Sequence, residues 1–125
     1  MSDQDFGGLV VTPDERREHT RYAVKWKARI MLSDRSVYQV VVIDVSKGGV
    51  AISFGHLLSK NTAVNIEFFA KSAGGDKRIR AKTVVCHNTV LSSGEAKLGL
   101  RFTDISHQDM HDFNNALQQL GDKRG

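Results

Sequence analysis

Two short clusters bring together residue types that recognise anions. Arg16-Arg17-Glu18-His19-Thr20-Arg21 carries three guanidinium groups within six residues. Each is a planar fork of donors that fits phosphate oxygens or the O6/N7 edge of guanine, or stacks on a base. In Asp44-Val45-Ser46-Lys47-Gly48-Gly49 the aspartate can accept hydrogen bonds from guanine N1–H and N2–H2, and the serine hydroxyl suits phosphate or base. The glycines let a backbone come close. Taken singly, an arginine run is a solvated basic patch, and an Asp-Ser-Gly run is ordinary turn chemistry. Their significance depends on what places them together.

Other reactive residue types lack companions. His107 and His111 stand one helical turn apart, a chelating spacing, yet the sequence fixes no third ligand, and they read as surface residues. His19 and His56 have no evident acid, nucleophile or metal partner. The single cysteine, Cys86, precludes an internal disulfide and a cysteine-based zinc site, and reads as a small buried or half-buried residue. There is no Gly-x-x-x-x-Gly-Lys loop and no Gly-x-Gly-x-x-Gly turn. Nothing pairs a nucleophile with a base, so a binding protein is expected, not an enzyme.

Composition narrows the class. The 125 residues, 40% hydrophobic, suffice for one modest core. Lys and Arg number 18 against 14 Asp and Glu, a net charge of +4 that favours anionic partners. The apolar runs at Val40–Ile43 and Val64–Phe69 fall far short of the roughly 20 residues that span a bilayer. The acidic, glycine-containing start lacks the basic and apolar regions of a secretory signal, so a cytoplasmic protein is expected.

The elements that must position the two clusters are mostly strands. Residues 1–15 read as a tail, 16–120 as one domain and 121–125 as a short end. Val24, Trp26, Ala28 and Ile30 alternate with Lys25, Lys27 and Arg29, the period of a strand with one buried face, and Trp26 belongs to the core. After a Ser33-Asp34 turn, Val37–Val45 is β-branched and nearly continuous, which predicts a strand buried on both faces. Val50–Ser53 follows across Lys47-Gly48-Gly49. Val64–Phe68, Ile79–Val85 and Ala96–Phe102 alternate again, separated by Gly74-Gly75 and Ser93-Gly94 turns. The last strand turns Lys97, Gly99 and Arg101 to one face. Six short strands predict an antiparallel barrel, because closure removes exposed edges. Met110, Phe113, Leu117 and Leu120 then recur at helical spacing behind Ser106, with Gly121 expected to end the helix.

Combined, the two clusters resemble one known family. Arg17-x-x-x-Arg21 followed by Asp44-x-Ser46-x-x-Gly49 is similar to the paired motif of the PilZ domain, a bacterial receptor module for cyclic di-GMP, and Leu98-Gly99-Leu100-Arg101-Phe102 resembles its last barrel strand. The resemblance covers roughly Arg16 to Gln119. It implies an all-β fold with one helix: a six-stranded antiparallel split barrel plus a C-terminal helix. It implies that Arg17 and Arg21 embrace guanines and phosphates while Asp44 and Ser46 hold a guanine edge. Arg16, directly before the first motif arginine, is similar to members that bind two stacked ligands per chain. Some members stack an aromatic side chain from the fifth strand. In Val85-Cys86-His87-Asn88 only His87 offers a ring, and Gly48 and Gly99 join it as secondary candidates. No cofactor beyond cyclic di-GMP is implied.

The function this suggests is a cyclic di-GMP receptor whose N-terminal segment and surface change on binding, so regulating an unidentified downstream protein. The alternative is a ligand-independent interaction module on the same fold, against which the intact motif arginines argue. Single-stranded nucleic acid is disfavoured as a partner, since aromatic residues make up only 7% of the chain.

Overall fold

The computed structural model describes residues 20–124. Six strands, β1 (Tyr22–Leu32), β2 (Val37–Ser46), β3 (Gly49–Phe54), β4 (Ala63–Ala70), β5 (Lys77–Val90) and β6 (Ala96–Ile105), precede one helix, α1 (His107–Arg124). All pairings are antiparallel, and the strands close into a barrel in the order β1-β2-β3-β6-β5-β4. The expected six-stranded barrel with a C-terminal helix is therefore the fold found.

Alternation builds the interior. Trp26, Ala28 and Ile30 of β1 point inward while Lys25, Lys27 and Arg29 face water. Val64, Ile66 and Phe68 of β4 and Ile79, Ala81 and Val85 of β5 do the same. Thr83 is the buried polar residue on that inner face, and its hydroxyl donates to the Val64 carbonyl at 2.7 Å, which removes the cost of burying it. Trp26 stacks on Phe68 with centroids 6.1 Å apart. The Gly-containing turns fall where expected: Gly75 and Gly94 take φ values of 107° and 91°.

β2 corrects one expectation. Val40, Val42 and Val45 are buried, but Val41 and Ile43 are only half-buried. A closed barrel has one interior, so even its most apolar strand keeps an outer side.

α1 starts where Ser106 caps it, its Oγ accepting from Asp109 N at 3.0 Å. Phe113 and Leu117 of the predicted stripe are buried, with Ala116 beside them, and Met110 and Leu120 are half-buried. Phe113 meets Phe68 and Phe102 edge-on at 5.5 and 5.3 Å, which joins the helix to the barrel's aromatic interior. Gly121 does not end the helix. It lacks a left-handed φ, and α1 continues to Arg124. A Cβ at Gly121 would lie 3.0 Å from Tyr22 Oη, so this glycine serves close approach to β1. Among the described residues no helix is long and apolar enough to cross a membrane.

Candidate functional site: a polar cleft on the outer wall

Strict alternation along β2 would send Asp44 inward after Val40 and Val42. The register prevents this. β2 pairs Val42 with Ile52 but Asp44 with Ala51, so Ile43 is an extra residue, and the pairing with β1 slips at the same level between Ala23 and Trp26. The bulge reverses parity: Val45 turns inward at 1% exposure, and Asp44 stays half-buried at the surface. β5 repeats the device. Val85 pairs with Leu100 and His87 with Gly99, which leaves Cys86 extra and His87 outside. Bulges that re-aim a side chain are a recurrent feature beside functional sites.

The re-aimed residues converge. Arg21, just before β1, Asp44 and Ser46 at the end of β2, Gly48 and Gly49 entering β3, His87 on β5, and Gly99 and Arg101 on β6 line one cleft of about 170 Å³. The β2–β3 turn is fastened to β6: Phe102 N donates to the Gly48 carbonyl at 3.0 Å, and Gly49 pairs with Arg101. A Cβ at Gly49 would fall 2.0 Å from the Leu100 carbonyl oxygen, so the need for glycine there is one of space. Lys97 Nζ lies 3.7 Å from Asp44 Oδ2, and Cys86 Sγ donates to the Gly99 carbonyl at 3.2 Å. Partial loss of water, then the nearby charges of Arg21, Lys97 and Lys60, push the His87 imidazole below its usual pKa and favour the neutral ring.

One carboxylate and one hydroxyl thus sit among Arg21, Lys97 and Arg101, beside a neutral imidazole. Such a set can accept hydrogen bonds from an amide-like base edge while cations hold neighbouring phosphate oxygens. The cleft is smaller than the roughly 300–1,000 Å³ of ordinary small-molecule pockets, a size suited to part of a ligand. A larger depression of about 690 Å³ lies elsewhere, across β1, β4 and β5, and shares no residue with this cleft. Size alone would choose it. The convergence of acceptors, donors and bulges chooses the smaller one.

Of the residues the sequence singled out, Arg21, Asp44, Ser46, Gly48, Gly49, His87 and Gly99 meet here. Arg16, Arg17 and His19 lie outside the described residues. Sequence reasoning missed Arg101, Lys97 and Cys86. The outward positions of Lys97 and Arg101 on β6 were legible, but the pairing of β6 with β3 that brings them toward Asp44 was not; Cys86 is half-buried, as read, and the bulge that sets it in the cleft left no signal. His107 and His111 are exposed, and His56 packs edge-on against Phe54 at 5.2 Å. No group of three or more potential metal ligands occurs among the described residues.

Fold and cleft together define a class: small closed barrels with one covering helix and a polar cleft on the outer wall at a strand turn, not in the lumen. The family model of the PilZ domain matches residues 15–119, and the chain belongs to that family. Solved structures share its fold. The Bacillus subtilis inhibitor of motility MotI/DgrA aligns with a TM-score of 0.75 at 17% identity, over 88% of this chain and 54% of that one. The chain thus spans about half the length of that protein. The PilZ domain of Escherichia coli YcgR, solved with c-di-GMP, gives 0.63 at 15% identity over 87% of this chain and 94% of that chain. The K. pneumonia MrkH–c-di-GMP complex gives 0.66 at 18% over 84% and 51%. No curated protein sequence matches the chain.

Proposed function

We propose that the chain is a cyclic di-GMP receptor, not an enzyme, and that it regulates a partner protein. The observation that supports this best is the convergence of Arg21, Asp44, Ser46 and Gly49, four of the five paired-motif residues, on one cleft. In this reading Asp44 accepts the N1–H and N2–H2 of a guanine and Ser46 supports it. Gly48 and Gly49 admit the ligand's edge, and His87 offers the ring face. Arg21 takes phosphate oxygens with Arg17. Arg16 adds a fork for a second, stacked ligand, giving two per chain. The small cleft volume fits a base edge better than a whole dinucleotide, so residues 16–21 must supply the remaining contacts, and ligand binding would fix that segment against the barrel. The surface so formed is what a downstream cytoplasmic protein would read.

Calorimetry with cyclic di-GMP tests the reading. Micromolar or tighter binding at two ligands per chain, with cyclic di-AMP much weaker and the ligand recovered intact, is the expected result. Wild-type affinity in both Arg17→Ala and Arg21→Ala, with the fold preserved, would replace it with a ligand-independent module. Conversion to the linear dinucleotide by pure protein would overturn the non-enzymatic part.

A further inference from the structure

The wall of the barrel away from the cleft carries a second organised surface. In the closed ring β4 stands opposite β3, and no residue of β4 lines the cleft. Cross-strand register sets which outward side chains lie side by side. Arg29, Glu67 and Arg80 form one row across β1, β4 and β5; Met31, Asn65 and Lys82 form the next; and Phe69 is paired with Arg78. Arg78, Arg80 and Lys82, two residues or about 7 Å apart along β5, therefore flank the β4 column on one side, and Arg29 of β1 flanks it on the other.

Glu67 organises them. Its carboxylate is 13% exposed and meets Arg29 Nε at 2.7 Å, Arg80 Nε at 3.4 Å and Arg78 Nε at 3.6 Å. One carboxylate thus serves three guanidiniums whose side chains stay more than half exposed, and each fork keeps further N–H groups for another acceptor. The 690 Å³ groove runs over these rows and is lined also by exposed Met31 and Val37, by Asp104 of β6 and by Asp109 of α1.

We propose that this wall docks an acidic protein partner, whose carboxylates take the outer N–H groups of Arg29, Arg78 and Arg80 while an apolar side chain settles against Met31 or Val37. Charge complementarity selects an anion, and the mixture of arginine forks with exposed apolar groups is that of protein interfaces. A single nucleic-acid strand would want several stacking rings, and on this wall Phe69 is the aromatic residue among the described residues. A lipid headgroup layer would touch only the outermost groups and leave the groove unused. Because the wall is across the barrel from the cleft, the proposal stands whether or not the cleft takes a dinucleotide.

The full ¹⁵N-labelled chain, titrated with a glutamate-rich decapeptide containing two leucines, provides the test. Amides of Lys27–Met31, Asn65–Phe69 and Arg78–Lys82 should shift, and binding should weaken at least tenfold between low and physiological salt. Arg78→Glu with Arg80→Glu should reduce it at least tenfold, Arg80→Gln severalfold, and Lys60→Glu hardly at all, with spectra that confirm the fold. Four results would overturn the proposal: wild-type peptide affinity in the folded Arg78/Arg80 variants; shifts confined to other surfaces; an oligothymidine or phosphatidylglycerol vesicles bound more tightly than the peptide at equal salt; or wall amides that move in the free chain on Asp3→Asn with Asp5→Asn, which would make the chain's own N-terminal segment the occupant.

Discussion

The Cδ2–Nε2 edge of His87 rests over Gly99 of the neighbouring strand, in the space a side chain there would fill. A Cβ at residue 99 would lie 2.5 Å from both ring atoms. The obstacle is the far end of a side chain, so Gly99→Ala should move the ring and spare the barrel. The expected outcome is a stability change within about 1 kcal/mol and a cyclic di-GMP affinity lowered about tenfold, or 1.4 kcal/mol. Paired thermal melts and calorimetry would decide. Unchanged affinity would remove His87 from the site.

Gly49→Ala should behave differently, because its Cβ would meet the Leu100 carbonyl at 2.0 Å, and backbone in a closed barrel cannot swing aside. Overpacking of this kind costs about 1–3 kcal/mol, and the upper end is expected. A denaturant midpoint that falls at constant slope would show it. A variant as stable as wild type would mean that β3 and β6 can separate locally.

Legibility from sequence divides at the bulges. Where alternation is unbroken, as in Trp26-Lys27-Ala28-Arg29-Ile30, the sequence shows which face is buried. Period two fails at Asp44 and His87, the residues the site depends on, because an extra residue at Ile43 and at Cys86 reverses parity without any local signature. Arg17-x-x-x-Arg21 and Asp44-x-Ser46-x-x-Gly49 were nonetheless visible as residue types at a spacing. Arg101 and Lys97 were not, since their neighbours are set by β3–β6 pairing across half the chain. The outer-wall array was equally hidden: Glu67 and Arg80 look like ordinary exposed charges until register places them side by side.

Binding should depend on pH through His87. In the free protein, lost water and the charges of Arg21, Lys97 and Lys60 hold its pKa below the usual value of about 6.5. A dianion set beside the ring opposes those cations and raises it. The complex then takes up protons between the two values, so affinity should rise as pH falls from 8 toward 6 and level off below the free protein's value. For stability the sign is opposite: the unfolded chain protonates more readily, so His87's contribution is full above about pH 6.5 and declines as pH falls toward the folded value. Calorimetry in buffers of different ionisation heat measures the uptake directly. A slope that persists in His87→Gln would assign it elsewhere.

Substitutions at the cleft should separate affinity from base choice. Arg21→Ala removes charge-assisted contacts and should cost about 1.5–3 kcal/mol of cyclic di-GMP binding. Asp44→Ala should weaken binding too, but chiefly narrow the preference for guanine over adenine dinucleotides. It also releases Lys97 from its 3.7 Å pairing. Comparing both ligands against both variants checks this. Equal losses for guanine and adenine ligands in Asp44→Ala would deny Asp44 the base edge.

Closure of the barrel has a consequence for how other molecules can approach it. Every strand has a hydrogen-bonded neighbour on each side. Among the described residues no strand is a free edge along its whole length, and only short ends such as Val37–Val40 and Lys77–Arg80 lack a partner on one side, so recruitment by strand addition finds little to extend. Whatever reads this domain must then rely chiefly on side chains. Its vocabulary can then be rewritten one exposed residue at a time, on either wall, while the hydrogen-bonded hoop beneath stays as it is.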